Sequence, residues 1–244
     1  MQVRRSPWQA QASRDGGFTV VNSGKNCFSR LARVLVLLPV LGALASNAGR
    51  GQIPELAAKS GPSAPKGEQT AVLAGGCFWG VDAVFKHVRG VTGVVSGYAG
   101  GSAATAQYEV VSTGMTGHAE SVKITYDPSE ITYSDLLTVF FSVAHDPTQL
   151  NRQGPDRGSQ YRSVIFYANE DQRQTARATI DQFNKAKVFS APVVTQVVPL
   201  QDFYPAEGYH QNFLARHPDY AYIVHNDLPK LRRLREQFPA LYKQ

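Results

Sequence analysis

From residue 70 onward, short apolar runs alternate with amphipathic stretches. "TAVLAGG" (70–76) is a continuous apolar run closed by two glycines, the pattern of a buried strand entering a tight turn. In "CFWGVDAVFKHV" (77–88), Phe78, Val81, Phe85 and Val88 recur at spacings of three and four, which predicts a helix. "GVTGVVSGYAGG" (90–101) predicts a strand over 91–98, and "AESVKITYD" (119–127) a second, with Val122, Ile124 and Tyr126 on one face. "SDLLTVFFSVA" (134–144) predicts a helix capped by Ser134 or Thr132, and "HDPTQLNRQGPDRGSQ" (145–160) a long polar loop. A strand "YRSVIFYA" (161–168), a helix "EDQRQTARATIDQFNKA" (170–186) and a strand "VVTQVVPL" (193–200) follow. In the tail, "DLPKLRRLREQF" (227–238) lines up Leu228, Leu231, Leu234 and Phe238, predicting a helix that packs on the core with its arginines in water.

The order β-α-β-β-α-β-α-β predicts an α+β fold: a two-layer sandwich with a mixed or antiparallel sheet, not a doubly wound one. The glycines of 90–101 do not form G-x-G-x-x-G behind a strand, so no dinucleotide site is expected.

Length and composition fit one domain with tails: 244 residues, 43% of them hydrophobic. The net charge of +6 suggests a nucleic-acid partner until its position is considered. Residues 1–48 carry Arg4, Arg5, Arg14, Lys25, Arg30 and Arg33 against Asp15 alone. The rest of the chain is nearly neutral, and no nucleic-acid partner is expected. Arg30 and Arg33 precede the apolar run "VLVLLPVLGALA" (34–45) and the small residues "SNAG", so 1–48 reads as a signal peptide cut after Ala45 or Ala48. The run is short and interrupted by Pro39, so no stable membrane insertion is expected. The mature chain would be periplasmic or extracellular; the long Arg-rich front keeps an organelle transit peptide as the alternative. Residues 49–69, rich in Gly, Pro, Ser and Lys, read as a flexible linker. The domain is placed at 70–215 and a C-terminal extension at 216–244.

Two cysteines, Cys27 and Cys77, are too few for a disulfide framework and lack metal-site spacing. Cys27 would leave with the presequence. Cys77, in "GGCFWG", follows two glycines at the start of a helix, where free backbone N–H groups favour a thiolate; this reads as a surface-accessible reactive sulfur in the first helical turn. Trp79 lies off the apolar stripe and suits the wall of a small apolar pocket.

"GGCFWG" together with "GHAE" (117–120), "HDPTQLNRQGPDRGSQYRS" (145–163) and "PAEGYHQ" (205–211) resembles the peptide-methionine (S)-S-oxide reductases, the methionine sulfoxide reductase A family. The resemblance spans roughly 70–215 and implies a sandwich around a ferredoxin-like core. It implies Cys77 as nucleophile and Glu120 as acid, kept protonated if its pocket is apolar. Phe78 and Trp79 would hold the substrate methyl group, Tyr108 and Tyr161 the sulfoxide oxygen, and Asp156 would position substrate or join the network. His118, Glu207 and His210 sit in matching motifs without separable roles. No metal or flavin is implied, since electrons come from thiols. Many relatives carry resolving cysteines in a Gly-rich tail, whereas "HPDYAYIVHNDLPK" (217–230) has none. A Cys77 sulfenic acid would therefore need an external reductant: thioredoxin-like, glutaredoxin-like or a small thiol.

The expected protein is a monomeric enzyme acting on oxidised proteins and peptides. Two rivals stay open: a one-cysteine peroxidase, and a non-catalytic module that binds methionine sulfoxide or serves as an envelope interaction module.

Overall fold

The computed structural model describes residues 67 to 244 together with Gln52, Ile53 and Glu55. Cys27, the presequence with its cleavage positions and most of the linker lie outside the described residues.

The chain order is β1 (Gln69–Gly75), α1 (Phe78–Lys86), β2 (Val91–Ala99), α2 (Tyr108–Val111), β3 (Ala119–Tyr126), α3 (Tyr133–Val139), β4 (Arg152–Gln153), β5 (Asp156–Arg157), β6 (Ser163–Tyr167), α4 (Glu170–Lys185), β7 (Gln196–Pro199), β8 (Phe203–Pro205), α5 (Phe213–Arg216) and α6 (Leu228–Gln237). The six-stranded sheet has the order β7-β6-β1-β3-β2-β8. Its inner part, β6-β1-β3-β2, is antiparallel throughout, with β1 and β2 kept apart by β3. This is the split β-α-β arrangement of a ferredoxin-like core, and the expected α+β fold is what forms. β7 extends it in parallel on β6, and β8 closes the other edge on β2.

β1 is central and covered on both faces, which is why it reads as an unbroken apolar run. Ala71 and Leu73 join the main core with Phe78, Val81, Phe85 and Val88 of the α1 side, while Val72 and Ala74 join a smaller cluster with Val164 and Phe166. Helix α3 starts at Thr132, whose hydroxyl caps the Asp135 N–H while Asp135 returns the bond, so Thr132 and not Ser134 is the cap. At Phe140–Ala144 this helix widens into a π turn that ends at His145. The expected strand at 193–200 is shorter, because Val193 and Val194 are held by Asn184 and the Pro147 carbonyl instead of a ladder.

The tail packs as its leucine spacing predicts: Leu234 and Phe238 are buried, and Arg232, Arg233 and Arg235 are exposed. Ile53, within the stretch read as linker, also packs against the main core. Among the described residues, no helix is long and apolar enough to cross a membrane.

Candidate active site

The turn between β1 and α1 builds the site. Gly76 has φ +91°, and a Cβ there would run into the Gln153 side chain, so the chain needs glycine at this point. The turn leaves Cys77 as the N-cap of α1, one position before the helical turn expected for it. Its exposure is 8%, so the expectation of a surface-accessible sulfur is corrected. Cys77 is the free cysteine of the described residues.

Glu120, the second residue of β3, lies opposite Tyr98 of β2 and is 3% exposed. Its Oε2 accepts the Phe78 backbone N–H at 3.1 Å, so the carboxyl sits on the first amide of α1, beside the sulfur. Burial pushes its pKa up to about 8; Asp156 adds to the rise and the Phe78 N–H opposes it. Glu120 therefore holds its proton at neutral pH.

A stability consequence follows from the sign of that shift. The folded carboxyl keeps its proton between pH 4.5 and about 8, where the unfolded one has released it. Folded protein binds more protons in that window, so stability falls as pH rises through it, by at most ~1.4 kcal/mol per pH unit. Urea titrations across the window are expected to show this fall, and Glu120→Gln to remove it; an unchanged slope in the variant would assign the effect elsewhere.

The thiol behaves differently from the expectation of a helix-stabilised thiolate. Burial raises the Cys77 pKa well above its ordinary value, and Glu120, Asp227 and Asp156 add to this. The Trp79 backbone N–H pulls the other way but is outweighed. A protonated Glu120 withdraws its share of the repulsion, so the proton it holds also eases thiolate formation at Cys77.

Tyr108, on α2, and Tyr161, in the turn before β6, are partly buried and lie within electrostatic reach of both Cys77 and Glu120. Burial, with these neighbours, pushes Tyr108 up to about 12 and raises Tyr161 as well, so both hydroxyls keep their protons and can donate. Asp156, on β5, accepts a hydrogen bond from the Tyr222 hydroxyl and is raised by burial. Phe78 is fully buried against Tyr98 and His210. Trp79 is partly buried, stacked on Phe213 at 3.7 Å with an interplanar angle of 4° and edge-on to Tyr222 at 5.9 Å. All seven residues expected at the site thus fall around one turn.

Other residues at the site were not legible as such. Tyr222, Asp227 and Lys230 come from the extension beyond residue 215. A Cβ on Gly80 would collide with the Asp227 carboxylate and the Lys230 ammonium, so the last glycine of "GGCFWG" lets the start of α6 lie directly on α1. That glycine was the available signal for tail contact with the site. "PAEGYHQ" acts as a bracket: Glu207 accepts from the Tyr98 hydroxyl and the Tyr108 N–H, and Gln211 holds the Ser96 backbone on both sides. His118 takes the Gly101 N–H on Nδ1 and gives Nε2–H to the Ser102 carbonyl, so it shapes a loop. Cys77 also lines a groove of about 1200 Å³ whose walls include Ile53, Phe141, Val188, Phe189 and Tyr222.

Comparison with known proteins agrees with this geometry. Residues 69–241 match the family described as Peptide methionine sulfoxide reductase. The peptide methionine sulfoxide reductase MsrA 2 of Mesorhizobium japonicum is 60% identical over 181 residues, covering 74% of this chain and 93% of the relative. That of Synechocystis sp. is 53% identical over 173 residues, covering 71% and 81%. Among solved structures, reduced Mxr1 from Saccharomyces cerevisiae superposes with a TM-score of 0.59 at 31% identity, covering 64% of this chain and 90% of its own. Methionine sulfoxide reductase A of Corynebacterium diphtheriae gives 0.57 at 32%, covering 68% and 92%. By its sequence, its fold and the residues gathered around Cys77, the chain belongs to the peptide methionine sulfoxide reductase A family of oxidoreductases.

Proposed function

We propose that the chain reduces the S epimer of methionine sulfoxide, peptide-bound or free, through a Cys77 sulfenic acid that an external thiol resolves. The observation that carries this reading is the buried, protonated Glu120 carboxyl held on the Phe78 amide beside the Cys77 sulfur. A sulfoxide sulfur accepts attack only if its oxygen gains a proton as the bond to the nucleophile forms. Cys77 attacks, Glu120 supplies the proton, and the Tyr108 and Tyr161 hydroxyls hold the oxygen. Phe78 and Trp79 receive the methyl group, and Asp156 with Tyr222 fixes the near wall. One oxygen passes from substrate to Cys77, giving methionine and the sulfenic acid.

Among the described residues there is no second cysteine to condense with that sulfenic acid. An external thiol entering by the groove forms a mixed disulfide with Cys77 and releases water; a second thiol frees Cys77 and leaves as the disulfide. Thioredoxin-like, glutaredoxin-like and small thiols all satisfy this chemistry.

The test is one turnover without reductant. One equivalent of sulfoxide peptide is expected to yield one methionine peptide and a chain heavier by about one oxygen, trapped by dimedone at Cys77. A loss of two hydrogens instead, marking a Cys27–Cys77 bridge, would overturn both the recycling scheme and the reading of 1–48 as a removed export signal. The same spectrum reads the mature N-terminus, expected at Ser46 or Gly49 for a periplasmic or extracellular protein.

A further inference from the structure

The structure assigns His210 as a positioning residue that fixes the Trp79 indole, and with it the wall that receives the substrate methyl group. This rests on the function proposed above and adds a residue whose role its motif left open.

His210 is 2% exposed, in the short turn Gly208–His210 that follows β8. Its Nδ1 lies 3.1 Å from Trp79 Nε1. An indole nitrogen can only donate, so Nδ1 must present its lone pair and the neutral ring carries its proton on Nε2. That Nε2 is buried with no hydrogen-bond partner. Around the imidazole stand the rings of Phe78 at 5.0 Å, Tyr108 at 4.5 Å and Tyr209 at 4.2 Å. A protonated imidazole would turn a second N–H against the indole N–H, so the site accepts only the neutral ring. Burial, which lowers the His210 pKa against the pull of Glu207, acts in the same sense.

The geometric consequence concerns one ring. Phe213 stacks on a face of Trp79, Tyr222 meets it edge-on, and His210 holds its nitrogen. Stacking and edge contacts leave an indole free to slide or flip in its plane; the hydrogen bond removes that freedom. The same turn carries Glu207, which anchors the Tyr108 backbone, so one short segment sets the wall for the methyl group and the tyrosine expected at the oxygen. His210 touches neither reacting atom, and its effect is expected in substrate capture more than in chemistry.

The experiment compares His210→Leu, which removes the acceptor, with His210→Asn, whose Oδ1 stands close to the place of Nδ1. Losing one buried hydrogen bond is expected to raise KM for a sulfoxide peptide about tenfold in His210→Leu, with kcat changed less than threefold. His210→Asn should recover most of the loss. In a Trp79→Phe background, which has no indole N–H, His210→Leu should add little. The wild-type chain supplies a reading independent of any variant: the indole N–H resonance of Trp79, the one tryptophan left after cleavage at Ala45 or Ala48, should be protected from hydrogen exchange. A fall in kcat at constant KM, an Asn variant no better than Leu, equal effects with and without the indole N–H, or an unprotected Trp79 N–H would each overturn the assignment. Failure of the proposed function looks different: the wild-type chain would then yield no methionine at all.

Discussion

Cys77→Ser is expected to abolish sulfoxide reduction while leaving the fold intact. Oxygen transfer needs an atom that attacks the sulfoxide sulfur and then carries the oxygen as a sulfenic acid, and a serine hydroxyl does neither. The exchange is small: the serine keeps the N-cap position of α1, where a hydroxyl is well suited to accept a backbone N–H of the first turn. The thermal midpoint is expected to move by no more than about 4 °C. Single-turnover methionine formation is the measurement. More than a few per cent of wild-type product at wild-type stability would remove Cys77 from the nucleophile's role.

Glu120→Gln is expected to slow the sulfoxide step by on the order of 10²-fold or more, because the amide keeps the shape and the contact with Phe78 but has no acidic proton for the oxygen. The wild-type rate of that step should decline above about pH 8, as Glu120 ionises, and the variant should lack this decline. The thiol gives the contrasting readout. An ionised Glu120 raises the Cys77 pKa, so at alkaline pH iodoacetamide should alkylate the variant at least as fast as the wild type. Equal losses of alkylation and reduction would mean that Glu120 organises the thiol and is not the acid.

The fold was legible wherever apolar spacing was unambiguous. The stripe Phe78, Val81, Phe85 and Val88 specified α1, and the unbroken run before Gly75 matched a strand covered on both faces. The site was legible through its motifs, because "GGCFWG" and "GHAE" place a thiol and a carboxyl that the sheet brings together across β1 and β3. Burial was not legible. A cysteine at the start of a helix suggests an exposed thiolate, and it is burial, with the repulsion of Glu120, Asp227 and Asp156 added, that reverses the sign of its pKa shift. The tail was legible as a helix through its leucines, yet Tyr222 and Lys230 carry no spacing that points to Cys77. Their contact is tertiary, and Gly80 was its one local trace. His210 was visible as part of a motif, but its bond joins residues 131 positions apart, a separation over which sequence pattern carries no geometry.

The docking of α6 onto Gly80 also sets when this enzyme becomes an enzyme. Tyr222, Asp227 and Lys230 leave the ribosome roughly 150 residues after Cys77; at roughly 5–20 residues per second the interval is on the order of ten seconds. Through that interval the nascent chain holds the thiol without the Tyr222 ring and the Asp227 carboxylate that later stand beside it. The thiol is then more open to stray oxidants than in the folded chain, so the chain is most easily oxidised before α6 has docked.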